Sequence, residues 1–133
     1  MRRELLICSD PIDEHKLLET RRHASAAGAV VYFLGVVRPS EEGAIIQAIE
    51  YEAFNQMAEH QFGLLFDALE ARWPILSIRL IHRIGRVAAG EASLWVEIIA
   101  PHRGEAFAAC QFLIDEMKRT VPIWKKPIPK TEG

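Results

Sequence analysis

Apolar and polar positions change their period several times along this chain, and each change marks a predicted element. Leu5-Leu6-Ile7-Cys8 reads as a short strand. Asp10-Pro11-Ile12-Asp13 then supplies an N-cap, a first-turn proline and an early acid, which predicts a helix running to about Ala26. Gly28 stops that helix. Ala29 to Val37 is a β-branched, nearly continuous apolar run of the kind buried on both faces, so it predicts the central strand of a sheet. Arg38 to Gly43 is a polar loop containing Pro39, and Ile45 to Phe54 resumes as a strand.

Asn55 is placed to cap a second helix, in which Ala58, Phe62, Leu65 and Leu69 recur at helical spacing. Trp73-Pro74 ends it, because the residue before a proline is driven out of the helical region. Ile75 to Val87 and Ala92 to Ala100 are two further strands, joined by Ala88-Ala89-Gly90-Glu91, a loop suited to a hairpin. In the second of these, Leu94, Val96 and Ile98 alternate with Ser93, Trp95 and Glu97. Pro101-His102-Arg103-Gly104 opens a third helix whose buried stripe is Ala106, Cys110, Leu113, Ile114 and Met117, with Lys118 at its end. The order β-α-β-β-α-β-β-α plus a basic extension predicts an α+β domain with helices against a largely antiparallel sheet.

At 133 residues and 50% hydrophobic, the chain fits one domain spanning 1–133. It has no secretory signal pattern and no run of the roughly 18 apolar residues that a membrane span needs, so a soluble, cytoplasmic protein is expected. Cys8 and Cys110 lack CxxC spacing and are expected as buried packing residues. A Gly-rich phosphate loop, HExxH, GxSxG and clustered metal ligands are all absent from the sequence, so no metal is expected and the chemistry must use lysine, arginine and histidine.

Charge narrows the choice. Residues 118–133 hold Lys118, Arg119, Lys125, Lys126 and Lys130 against Glu132 alone, a net of +4; with −2 for the whole chain, the first 117 residues sum to −6. A basic end is usually just solvated, but Val121-Pro122-Ile123-Trp124 is too apolar for a disordered tail. An apolar span between two ammonium groups can desolvate them and aim them at an anion. Arg38 after a strand and His102-Arg103 before a helix are further candidates at element ends, where sites are built. Each alone is more often a rim charge or a capping contact, and His82-Arg83, in mid-strand, is expected to be structural or at an interface.

Together these segments resemble one family, the large catalytic subunit of molybdopterin synthase, the MoaE type. The resemblance rests on Gly28-Ala29-Val30-Val31 through Phe33-x-Gly35-x-Val37-Arg38, Glu50-Tyr51-Glu52-Ala53-Phe54 with Met57-Ala58, Ile81-His82-Arg83-Ile84-Gly85, His102-Arg103-x-x-Ala106-Phe107, and Lys118-x-x-x-Pro122-x-Trp124-Lys125. They follow in family order over nearly the whole chain. The resemblance implies an α/β hammerhead fold and a homodimer within a heterotetramer, with a small ubiquitin-like subunit (MoaD type) at each end. It also implies sulfur transfer from that subunit's C-terminal thiocarboxylate to cyclic pyranopterin monophosphate, forming the molybdopterin dithiolene without a metal or organic cofactor.

By match to the family pattern, Lys118 and Lys125 are the catalytic pair. Val36, Val37, Arg38, His102, Arg103, Lys126 and Pro127 join them in contacting substrate, with Arg38, His102 and Arg103 suited to its phosphate and pterin through charge-assisted hydrogen bonds. Phe33 reads as core and Gly35 as a point of close approach.

Two departures stand out. The family pattern continues past the second lysine with a basic residue and then glutamate, whereas Pro127-Ile128-Pro129 follows Lys126 here, and the sequence ends at Gly133 without a longer tail. Either an ion pair that steadies Lys125 is lost, or the prolines stiffen the tail into an arm that docks in one pose. The alternative to an enzyme is a catalytically weakened paralogue that binds a ubiquitin-like partner, and the retention of all five charged residues argues against it. Nucleic-acid binding through the +4 tail fits poorly with an acidic chain lacking basic-aromatic interleaving.

Overall fold

The computed structural model describes residues 1–22 and 24–130, which form three helices and eight strands in an α+β architecture. The first sheet has the order β1-β5-β7-β2, from Arg2–Cys8, Ser77–Arg83, Ala92–Ala100 and Ala29–Val36. β1 runs parallel to β5, and the other pairs are antiparallel. The second sheet is β3 (Ser40–Glu41), β4 (Ala44–Ala53) and β6 (Gly85–Ala88), with β8 (Ile123–Pro129) on the other side of β4. Helix α1 is Glu14–Glu19, α2 is Asn55–Arg72 and α3 is Arg103–Thr120.

Helices α2 and α3 pack together across one face of the first sheet, where Phe62, Leu69 and Leu113 meet Ile78, Leu80, Val96 and Ile98. Each such side chain removed from water stabilises the fold by about 1.5–3 kcal/mol. The alternate positions of β5 and β7 are buried as well. Glu97 accepts hydrogen bonds from Arg79 Nε at 2.8 Å and Arg21 Nε at 2.6 Å, and the Arg79 guanidinium lies 4.9 Å from the Trp95 ring centre. Arg79 also donates to Leu17 O and Thr20 Oγ1, which ties α1 to the sheet. Burial alone pushes the Glu97 carboxyl up, but the two guanidinium groups more than offset it and hold the carboxyl below the usual range.

Several sequence expectations are corrected. Helix α1 ends at Glu19 rather than near Ala26, and Asp13 rather than Asp10 caps it, accepting from Lys16 N at 3.1 Å. The early end follows from Arg21 turning inward to Glu97, a tertiary contact that outweighs helix propensity. Gly28 therefore stops no helix; its amide donates to Ala100 O, and a Cβ there would sit 2.0 Å from Pro101 O.

The Ala29–Val37 run is not central. Its strand β2 lies at the sheet edge with Tyr32 55% exposed, because α3 covers one face and the apolar run does not itself specify a second cover. Phe54, not Asn55, is the N-cap of α2, and it makes no side-chain cap bond.

Last, the Ile75–Val87 run is two strands. Gly85 takes φ +81°, a conformation closed to most side chains, and redirects the chain into the second sheet as β6. β5 and β7 still pair antiparallel, from Ser77↔Ile99 to His82↔Leu94, but the 84–91 segment between them detours through that sheet.

The basic extension is strand β8, antiparallel to β4. Lys130 N donates to Ile45 O, so by strand alternation Pro127 and Pro129 stand where an amide would face away from β4. They cost the ladder nothing and blunt the outer edge. Cys110 is buried on α3 with its thiol pushed up by burial, and Cys8 is half-buried. Among the described residues no helix is long and apolar enough to cross a membrane.

Candidate active site

A cleft of about 560 Å³ opens where the two sheets meet the C-terminal end of α3. Val121 precedes Pro122 and is extended, so α3 stops at Thr120 and the chain turns directly into β8. This turn places Lys118, on the last helical turn, and Lys125, on β8, on the same cleft. The end of β2 supplies Phe33 through Val37, with Arg38 following, and the floor includes Tyr51, His82 and Ser93.

The charged groups at the mouth are organised by a carboxylate. Lys125 Nζ donates to Glu41 Oε1 at 3.1 Å, and Arg38 lies 3.8 Å from Glu41 Oε2. Deeper in, Tyr51 Oη donates to Ser93 Oγ at 3.3 Å, and the Tyr51 ring meets His82 edge-on at 5.3 Å. Burial pushes the His82 imidazole below its ordinary 6.5, against the opposing pull of the Arg83 carbonyl. His82 Nδ1 is 2.7 Å from Arg83 O, so it carries the proton and donates, leaving Nε2 as the acceptor of a neutral ring. His82 is thus buried and hydrogen-bonded to the backbone, and it also lines the cleft.

Of the residues chosen from the sequence, the structure brings together Val36, Val37, Arg38, Lys118 and Lys125. Phe33 and Gly35, read as core and as a close approach, also line the cleft, and a Cβ at Gly35 would come within 3.3 Å of Leu94 Cβ and the Phe33 ring. Lys126 and Pro127 lie outside the lining, opposite Glu50 and Ile49 on β4. His102 caps α3 at its far end, exposed and 3.6 Å from Glu105. Helical rise separates Arg103 from Lys118 by about 22 Å, so within one chain the His102-Arg103 pair and the two lysines occupy different ends of the helix.

Comparison with known proteins decides the family. The MoaE protein family model matches residues 7–120. The chain belongs to the MoaE family. Lys118 falls inside that match and Lys125 beyond it. The molybdopterin synthase catalytic subunit of Thermoplasma volcanium is 42% identical over 102 residues, covering 77% of this chain and 74% of that one. The molybdopterin synthase catalytic subunit of a Nostoc species is 44% identical over 103 residues, covering 77% of this chain and 62% of that one, so the match spans less than two thirds of this relative.

The crystal structure of molybdopterin synthase from Staphylococcus aureus superposes with a TM-score of 0.85 at 32% identity, over 96% of this chain and 92% of that one. That overlap extends the shared MoaE fold past residue 120. A Helicobacter pylori structure, a complex of subunits 1 and 2 of molybdopterin-converting factor, shares the fold with a TM-score of 0.77 at 23% identity, over 96% of this chain and 90% of that one.

Sequence reasoning missed Glu41 and gave Tyr51 no chemical role. Glu41 carried no signal, being one acid in a polar loop. Tyr51 stood inside a quoted motif, but only the pairing of β4 with β8 and the approach of β5 and β7 bring it to Lys125 and His82.

Proposed function

We infer that this chain is the catalytic subunit of a molybdopterin synthase, transferring sulfur from the C-terminal thiocarboxylate of a small ubiquitin-like subunit to cyclic pyranopterin monophosphate. The observation that carries this reading is the convergence of Lys118, Lys125 and Arg38 on one cleft. A phosphorylated pterin needs cations at the mouth and apolar walls within, and Arg38 and Lys125 flank a lining that includes Phe33, Leu34 and Ile49.

The chemistry develops negative charge on oxygen twice. It appears at the acyl carbonyl when the thiocarboxylate is cleaved, and on the substrate oxygen that sulfur replaces. Lys118 stands at the acyl carbon and delivers a proton or takes the acyl group transiently, while Lys125 neutralises the developing anion. His102 and Arg103 reach substrate only if a second copy of the chain presents its α3 N-terminus to this cleft, which gives a homodimer within the heterotetramer a chemical purpose. The Helicobacter pylori structure of like fold contains two different subunits, the kind of assembly this reading expects here.

The test is Lys118→Ala, assayed for dithiolene formation with a thiocarboxylated small subunit. Loss of a proton-transfer group predicts a fall of about 10²–10⁴-fold in kcat. Near-normal turnover sinks the assignment.

A further inference from the structure

We propose that Glu41 is the resident counter-ion of the seat formed by Arg38 and Lys125, and that an anionic ligand enters by displacing it. Each carboxylate oxygen faces one cation, Oε1 at 3.1 Å from Lys125 Nζ and Oε2 at 3.8 Å from Arg38. The exposures are unequal: the Glu41 side chain is 14% exposed, against 54% for Lys125 and 76% for Arg38. The carboxylate is therefore set inside the cleft wall, and the two cations reach it from outside.

Its backbone is held in place. Glu41 pairs with Ala44 across a two-residue turn in which Glu42 takes φ 50° and Gly43 φ 81°, the geometry that matches strand twist in a tight hairpin. Lys125 arrives on β8, which pairs along β4, and Arg38 follows β2, so three separate elements converge on one carboxylate.

A carboxylate in this position has two effects of opposite sign. It gives the Lys125 ammonium a fixed hydrogen-bond acceptor, and it cancels one of the positive charges that an incoming anion would meet. Singly charged anions gain little by replacing it. A phosphate carrying two charges can engage both cations at once and leave Glu41 to water. Glu41 thus acts as a specificity element that keeps the seat closed to weak anions. This rests on the reading of the cleft as the site for a phosphorylated substrate, but its test needs no turnover.

Inorganic phosphate is titrated into the purified protein and into Glu41→Gln, Glu41→Asp and Glu41→Gln/Lys125→Ala, with binding followed by calorimetry and amide chemical shifts. Removing one charge at contact distance from two solvent-exposed cations predicts about fivefold tighter phosphate binding by Glu41→Gln. Glu41→Asp, which keeps the charge, stays near wild type, and the gain disappears in the double variant. Equal or weaker binding by Glu41→Gln, a gain that survives in the double variant, or no phosphate binding by any form overturns the proposal. If the phosphate results hold while dithiolene formation fails, the counter-ion stands and the sulfur-transfer reading falls.

Discussion

Gly28→Ala changes one hydrogen into a methyl group at the place where the entry to β2 crosses the β7–α3 corner. The new Cβ would lie 2.0 Å from Pro101 O and 3.1 Å from Pro101 C, whereas ordinary contact begins at 3.4 Å. Both obstructing atoms are backbone, so no rotamer change relieves the clash and the corner itself must move by about 1.4 Å. Overpacking of this kind costs about 1–3 kcal/mol, and the Gly28 N to Ala100 O bond at 3.0 Å is strained with it. A stiffer unfolded chain returns about 0.4–1 kcal/mol. The net loss is about 1.3 kcal/mol, which for 133 residues lowers Tm by roughly 5 °C.

Gly63→Ala in α2 is the matched control. A Cβ there meets nothing within 4 Å, and glycine in a helix interior is less favourable than alanine by up to about 1 kcal/mol, so Tm rises by roughly 3 °C. Calorimetry or urea denaturation reads both. If Gly28→Ala melts within a degree or two of wild type, the close approach is not what this position requires, and the reasoning fails.

Other outcomes follow from the buried titratable groups. Glu97→Gln leaves Arg21 and Arg79 facing a neutral amide and costs about 3–5 kcal/mol at pH 7 by urea denaturation. Because the folded Glu97 carboxyl lies below 4.5, its contribution is complete above pH 4.5 and is lost as pH falls through the folded value, so the variant and wild type converge in acid. A pH-independent gap would contradict this. His82 is also depressed in the fold, so its neutral form contributes stability in full above pH 6.5 that is lost as pH falls toward the folded value; His82→Gln flattens that slope between pH 7.5 and 5.5, and an unchanged slope refutes the assignment.

Much of the fold was legible because local signals and tertiary demands coincided. The bounds of Ala92–Ala100 agree with the structure, its apolar alternation matching a helix-covered face, and α3 starts within Pro101–Gly104, where its apolar stripe begins. Legibility failed wherever a long-range contact intervened. Alternation along β7 does not announce that its second face, Ser93, Trp95 and Glu97, is buried too, with Glu97 paired to arginines 18 and 76 residues away. The same arginines cut α1 short. The site was half legible: Arg38, Lys118 and Lys125 announced themselves by charge and motif, whereas Glu41 did not, since a lone acid acquires meaning only from the cations it faces.

The sequence by itself determined most element types, the α+β class and the family, and it marked Lys118 and Lys125 as candidates, because periodicity, proline positions and motif order are local properties of the chain. Only the tertiary structure decided that β2 lies at an edge, that the basic extension is a strand whose prolines face outward, that His102-Arg103 and Lys118 lie at opposite ends of one helix, and that Glu41 faces both Lys125 and Arg38. These depend on which strands pair and which helix end meets them. That choice is set by burial and hydrogen bonding between residues far apart in the chain, which no local pattern encodes.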